Sequence, residues 1–293
     1  MSRDDVRPAD AMPNDGSGLV SAGAIARSHG TTALRPDAGP PWLAPLVDNV
    51  HRVPDAYRRR VPPELLMALS GARSAAQAAR SDRDAAVLVL FSGPHAEHTP
   101  GQVPTDADLL LTVRASTLRH HAGQAAFPGG AADPDDADPV ATALREAREE
   151  TGIAPESLVP LATLERMFIP PSGFHVVPVL AYSPDPGPVA VVDQAETALV
   201  ARVPLRAFIN PRNRLMVCRA GGEHRYAGPA FMLNEMLVWG FTGHVISAML
   251  DVAGWAQPWN TEDVRELDQA MALVGDGSGE AAALGADDSE EPF

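Results

Sequence analysis

The apolar positions of this chain fall into short blocks with two periods, and the blocks predict alternating strands and helices. Ala85 to Ser92 and Asp108 to Arg114 are nearly continuous apolar runs, which reads as strands buried on both faces. Gln124 to Phe127 is a shorter stretch ahead of two glycines. Leu158 to Ile169 and His175 to Tyr182 read as strands around a Pro-Pro-Ser-Gly turn. Ala195 to Phe208 holds a short strand and a helical turn, and Asn213 to Arg219 with Arg225 to Phe231 suggests a hairpin around Gly221 and Gly222. Helical spacing marks Pro63 to Ala72, Pro139 to Thr151 and a closing helix over Asn234 to Ala253. A mixed sheet between helices predicts an α/β (α+β) architecture, an α/β/α sandwich.

The helix over Pro139 to Thr151 has the clearest ends. Asp138 suits the N-cap, Pro139 the first helical position, and Gly152 the left-handed residue past the C-terminus. Its polar residues break local rules. Glu146, Glu149 and Glu150 stand at i, i+3 and i+4, so three carboxylates share one face and repel. Glu149 and Glu150 also occupy the last turn, where the helix dipole disfavours anions. Arg145 and Arg148 offset only part of this. Carboxylates gathered at such a cost suit hard divalent cations, which take oxygen ligands and often share them with substrate phosphates. The plain alternative is a solvated, salt-bridged helix face. The upstream Phe127-Pro128-Gly129-Gly130 shifts the balance, because glycine lets backbone approach a ligand and offers a carbonyl, at Gly130, to the metal shell.

The segment resembles a Nudix box: Gly130, an acid six residues later at Asp136, then Arg145, Glu146, Glu149, Glu150, Gly152 and Ile153. Two departures stand out. The acid is Asp136 rather than Glu, and the spacer from it to Arg145 is one residue longer than usual. Both departures are familiar from one branch, the coenzyme A pyrophosphatases. Leu110-Leu111-Thr112-Val113-Arg114, Leu118-Arg119-His120-His121-Ala122-Gly123-Gln124 and Phe127-Pro128-Gly129-Gly130 are similar to that branch's signature. The likeness extends over roughly residues 80 to 255, through Ser172-Gly173-Phe174, Val203-Pro204-Leu205 and Trp239-Gly240-Phe241-Thr242.

The resemblance implies a Nudix-type sandwich and a hydrolase using Mg²⁺ or Mn²⁺. Glu146 and Glu150 are the expected ligands, with Glu149 a further ligand or the base, Gly130 a carbonyl ligand, Arg145 an orienting residue of the catalytic set and Asp136 behind it. Glu196 is a candidate base outside the box, and an exposed loop acid is an equal reading of it. Arg114, Arg119, His121 and Gln124 are the implied substrate contacts, although His121 reads equally well as a structural histidine. His244 reads as structural and Phe127 as core. The expected reaction cleaves coenzyme A or acyl-coenzyme A to (acyl-)4′-phosphopantetheine and adenosine 3′,5′-bisphosphate. ADP-ribose, NADH or another nucleoside diphosphate derivative is the first rival substrate. A nucleotide-sensing module without catalysis is the second rival, opposed by the intact carboxylates.

Composition narrows this further. Residues 1–40 mix Pro, Gly, Ser and Asp without period and predict a disordered extension, leaving 41–260 as the catalytic domain. Residues 261–293 carry ten acids against one Arg, so −9 of the net −15 sits in an expected acidic flexible tail. All 23 basic residues are Arg, each a planar fork suited to phosphate. A pI near 4.9 without a basic stripe argues against nucleic acid. The single Cys218 excludes an internal disulfide and suits a reducing, cytoplasmic setting, and reads as a small buried hydrophobe. The apolar stretch from Phe231 to Trp255 is interrupted by Asn234, Glu235, His244 and Asp251, which opposes a membrane partner. The expected partner is a small nucleotide, with homodimerisation open.

Overall fold

The computed structural model describes residues 32–61, 83–95, 101–115, 123–169, 173–221, 224–234 and 236–275. The helix expected over 63–72 lies outside them, as do Arg119 and His121. The centre of the fold is β1 (Arg83–Ser92), parallel to β7 (Phe174–Ser183) in unbroken register from Arg83 opposite Phe174 to Ser92 opposite Ser183. On the other edge of β1 the partner changes. Its first half pairs antiparallel with β4 (Gly129–Ala131), its last residues with β2 (Asp108–Arg114). The Leu88 amide donates to the Pro128 carbonyl where one partner gives way to the other. The sheet therefore splays at Pro128, and the glycine pair enters that opening.

β2 continues antiparallel with β3 (Ala125–Ala126) and β8 (Thr197–Pro204). β5 (Val159–Thr163) and β6 (Met167–Ile169) both run antiparallel to β7. The expected single strand over 158–169 is thus two, with a register shift between Pro160 and Ala162. A second, four-stranded sheet holds β9 (Arg214–Gly221), β10 (His224–Leu233), β11 (Met236–Val238) and β12 (Val264–Glu266), in the order β11-β10-β9-β12. The hairpin expected around Gly221 is the centre of this sheet.

Alternation along the central strands divides the core between two faces. Ala86, Leu88 and Leu90 of β1, Leu110 of β2, and Val179 and Ala181 of β7 pack with Val140, Ala143 and Ala147 of helix α3 (Pro139–Thr151). On the opposite face, Val89, Phe91, Leu109, Leu111, Leu180 and Tyr182 join a larger core. Trp42 and Leu46 bring in the short helices α1 (Ala44–Asp48) and α2 (Val53–Arg58), and Val245, Ile246 and Met249 bring in α5 (Gly240–Val252). Helix α4 (Leu205–Ile209) closes the end of β8. The architecture is mixed α and β with helices on both faces of a mixed sheet, as the patterning predicts.

Three boundaries differ from expectation. The closing helix begins at Gly240 rather than Asn234. Gly240 takes φ +63°, which no helix interior tolerates, and Met236–Val238 pairs with β10 instead. Residues 32–40, placed in a disordered extension, are tied to the body: Thr32 N–H donates to Asp138 Oδ2 at 2.6 Å and Arg35 N–H to the Pro160 carbonyl at 2.9 Å. The acidic tail begins later than 261. Val264–Glu266 forms β12 on β9, and helix α6 (Leu267–Gly275) buries Ala270 among Leu215, Val217 and Leu237. The acid count hid these apolar positions, because composition is blind to which face a residue occupies. No helix among the described residues is long and apolar enough to cross a membrane.

Candidate active site

Helix α3 presents the carboxylates because both its ends are fixed. Asp138 Oδ1 accepts the Ala141 amide at 2.8 Å, and Gly152 at φ +70° returns its amide to the Arg148 carbonyl at 2.9 Å. Val140, Ala143 and Ala147 then face the sheet, which directs Glu146 and Glu150 toward β4 and leaves Glu149 outside.

Arg145 is the centre of the polar network. Its Nε donates to Asp136 Oδ1 at 3.0 Å and Nη2 to Asp136 Oδ2 at 2.9 Å, a bidentate pair. Nη2 also donates to the Ala131 carbonyl at 3.0 Å, while Nη1 reaches Glu146 Oε1 at 2.9 Å and Glu149 Oε2 at 3.1 Å. A guanidinium has five N–H donors, and all five are placed within the protein. Arg145 therefore holds Asp136 and two glutamates together and has no N–H donor left over. The Arg145 hydrogen bonds hold Asp136 down at about 2, against an ordinary 3.8. Asp136 reaches Arg145 despite its short side chain because a turn draws it in, with its amide on the Asp133 carbonyl and Oδ2 accepting the Asp133 amide, both at 2.9 Å.

Glu150 Oε2 accepts the Gly129 amide at 3.2 Å. Burial, followed by the charges of Glu146 and Glu196, pushes its carboxyl up to about 7, against the opposing pull of that amide and of Arg114. Burial also raises Glu146, with Arg145 opposing and Glu149 adding to the rise. The structure thus brings Glu146, Glu150, Glu196 and Arg114 into one electrostatic neighbourhood. Glu196 is exposed at the start of β8, where its carbonyl accepts the Ala115 amide at 2.9 Å beside Arg114.

The two glycines have different tasks. A Cβ at Gly129, which sits at φ +156°, would meet Ala86 O at 2.4 Å and Val87 Cα at 2.6 Å, so only glycine lets β4 reach β1. A Cβ at Gly130 would meet Glu146 Oε2 at 2.5 Å, so this glycine makes room for a carboxylate. Gln124 is near the site through Arg114, whose amide donates to the Gln124 carbonyl at 3.2 Å. Sequence reasoning missed that Gly240 stands against Gln124: a Cβ there would lie 3.0 Å from Gln124 Nε2. The available signal was the glycine directly after Trp239, inside an otherwise helical pattern. His244 is structural, with Nδ1 2.7 Å from the Gly240 carbonyl and its ring beneath Gly228. Phe127 and Cys218 are core.

Among the described residues no group of three or more His, Cys, Asp or Glu side chains is placed to hold a metal ion. Two of the carboxylates nonetheless have the chemistry that suits a hard divalent cation, which commonly binds through one or two carboxylates. Burial raises both Glu146 and Glu150, and the charge of Glu146 adds to the rise of Glu150, a condition that a cation beside them would reverse. Such ions commonly take the rest of their shell from water and substrate phosphate. A cavity of about 500 Å³ opens on the flank of α3, lined by Leu144, Arg145, Arg148, Glu149 and Pro155. It takes in Glu149 but neither Glu146 nor Glu150.

The mixed sheet with an Arg-Glu-x-x-Glu-Glu helix against a glycine pair has counterparts among known proteins. The model of the NUDIX domain matches residues 95–218. An uncharacterized Nudix hydrolase NudL of Photorhabdus laumondii is 40% identical over 140 residues, covering 47% of this chain and 73% of the relative. A second NudL, from Cronobacter sakazakii, is 40% identical over 144 residues, with 47% and 71% covered. Among solved structures, the M. smegmatis Nudix hydrolase RenU aligns with a TM-score of 0.40 at 19% identity, over 60% of this chain and 89% of that one. The chain belongs to the Nudix hydrolase family.

Proposed function

We propose that this protein hydrolyses the diphosphate of coenzyme A or acyl-coenzyme A, releasing (acyl-)4′-phosphopantetheine and adenosine 3′,5′-bisphosphate. The observation that carries the hydrolytic part is the arrangement around Glu150, with the Gly129 amide on its carboxylate and Glu146 and Glu196 close enough to raise its affinity for a proton. Glu146 and Glu150 would hold Mg²⁺ or Mn²⁺, with Glu149 and the Gly130 carbonyl as the further candidates. When bound, the cation neutralises phosphate charge and makes water a better nucleophile.

The chain's own residues do the rest. Arg145 and Asp136 lock the rotamers of Glu146 and Glu149, so the carboxylates do not reorganise during reaction. Arg114 contributes positive charge beside Glu150, suited to a phosphate oxygen. Glu196, exposed across from Arg114, is the candidate to take a proton from attacking water.

The coenzyme A assignment is supported by the branch signature that includes Arg114, Arg119, His121 and Gln124, with Asp136 and the lengthened spacer. ADP-ribose and NADH remain the rival substrates, since the carboxylate geometry serves any diphosphate. Incubation with coenzyme A, ADP-ribose or NADH and Mg²⁺ or Mn²⁺, with an EDTA control and mass identification of products, decides between them. Metal-dependent release of phosphopantetheine supports the assignment. Faster cleavage of ADP-ribose than of coenzyme A overturns it while keeping the diphosphatase.

A further inference from the structure

A second polar cluster lies where α2, α5 and the β9–β10 hairpin meet. Arg214 opens β9 and is only 3% exposed. Its guanidinium stacks 4.5 Å from the Trp259 ring centroid and 5.4 Å from that of Phe231. Nη2 donates to Ser247 Oγ at 2.8 Å, while Nη1 is buried and has no hydrogen-bond partner among the described residues. Arg60 reaches the same hydroxyl through Nε at 3.1 Å, donates through Nη1 to the Ala56 carbonyl at 2.7 Å, and pairs with Asp251.

The cluster is rich in donors and poor in acceptors. A serine oxygen has two lone pairs, and two guanidiniums use them. Arg60 pairs with Asp251, and Asp251 is the acid that lines the same cavity as Arg59 and Arg60. The other acid of known pairing nearby, Asp263, is already bidentate with Arg265. Burial and the neighbouring Arg60 charge bring Arg214 down to about 10. Uncompensated buried charge is costly, and such groups are normally paired.

Beside the cluster is a cavity of about 390 Å³, lined by Arg59, Arg60, Met216, Asp251, Trp259 and Thr261, within the range of small-molecule sites. None of these residues belongs to the α3 carboxylate site. The geometry points to a second ligand site, for an oxyanion of the phosphate class, gripped at the mouth by Arg59 and attracted by Arg60 and by Arg214 behind Trp259. The planar Arg59 fork matches tetrahedral phosphate oxygens, Arg60, already bonded to Ser247, Ala56 and Asp251, adds positive charge, the Thr261 hydroxyl offers a further donor, and the Trp259 and Met216 surfaces fit an apolar group attached to the phosphate.

The test is calorimetric titration of the full chain with inorganic phosphate in EDTA, which removes any cation from the α3 site. Saturable binding of one phosphate per chain is expected. It should persist in Glu150→Gln, weaken about tenfold or more in Arg59→Ala, and largely return in Arg59→Lys. Arg59 is exposed, so its replacement leaves the fold intact. Trp259→Leu, read by the same titration with circular dichroism as a fold control, should also weaken binding. The proposal is overturned by no saturable binding below about 10 mM, by binding that Glu150→Gln abolishes, by binding unchanged in Arg59→Ala, or by tighter binding of acetate than of phosphate.

Discussion

Arg145 grips Asp136 with two parallel hydrogen bonds, Nε to Oδ1 at 3.0 Å and Nη2 to Oδ2 at 2.9 Å, across a separation of nine positions in sequence. The pair ties the loop after the glycines to the helix carrying the carboxylates. The guanidinium also holds Glu146, Glu149 and the Ala131 carbonyl, so all five of its N–H donors are used within the protein.

Arg145→Lys should therefore lower kcat about 10- to 100-fold, with KM nearly unchanged. An ammonium has three donors and no fork, so Asp136 and the two glutamates lose their common anchor. Steady-state kinetics on the cleaved substrate test this, and an unaltered kcat would show that the network does not position the glutamates.

The two glycines should fail differently. Gly130→Ala drives a methyl into the Glu146 carboxylate, so hydrolysis should collapse while the melting temperature moves little. Gly129→Ala strikes β1 backbone from a left-handed φ, so stability should fall by about 2 kcal/mol or more. Paired melting and activity measurements separate these outcomes. Equal melting temperatures for the two variants would contradict the assignment.

Glu150 should link stability to pH and to added metal. Its carboxyl is raised from 4.5 to about 7 in the folded chain, so its protonated form is favoured there. Its contribution is present below about pH 4.5 and is lost as pH rises through 7. In EDTA, stability should decline across that window, and Mg²⁺ or Mn²⁺ should restore it at pH 8. Glu150→Gln should remove both the decline and the restoration, and abolish hydrolysis. Denaturant melts at several pH values read all of this.

Asp136 acts with the opposite sign. Its folded value of about 2 lies below 3.8, so its stabilisation is present above about pH 4 and is lost as pH falls toward 2. Asp136→Asn should flatten the acid limb of the stability curve and destabilise the chain near neutrality by about 1–3 kcal/mol. An acid limb identical to that of the unaltered chain would place the Arg145 contact outside the energetics.

Helix α3 was legible because capping, spacing and charge are local: Asp138, Pro139 and Gly152 mark its ends, and Glu146, Glu149 and Glu150 share a face by the 3.6-residue period alone. The strands β1, β2 and β7 were legible for the same reason, since unbroken apolar runs of that length have little alternative to burial. Pairing partners carry no such local mark. Only the tertiary structure decided that β1 changes partner at Pro128, that Gly129 reaches Glu150, that Glu196 stands by Arg114, and that Met236–Val238 leaves a helical pattern to join β10. The Arg60–Ser247–Arg214 cluster joins residues up to 187 positions apart, and no periodicity announces it. Propensity and period act over one or two turns, whereas the contacts that set charge, register and ligand access depend on which distant segments the core brings together.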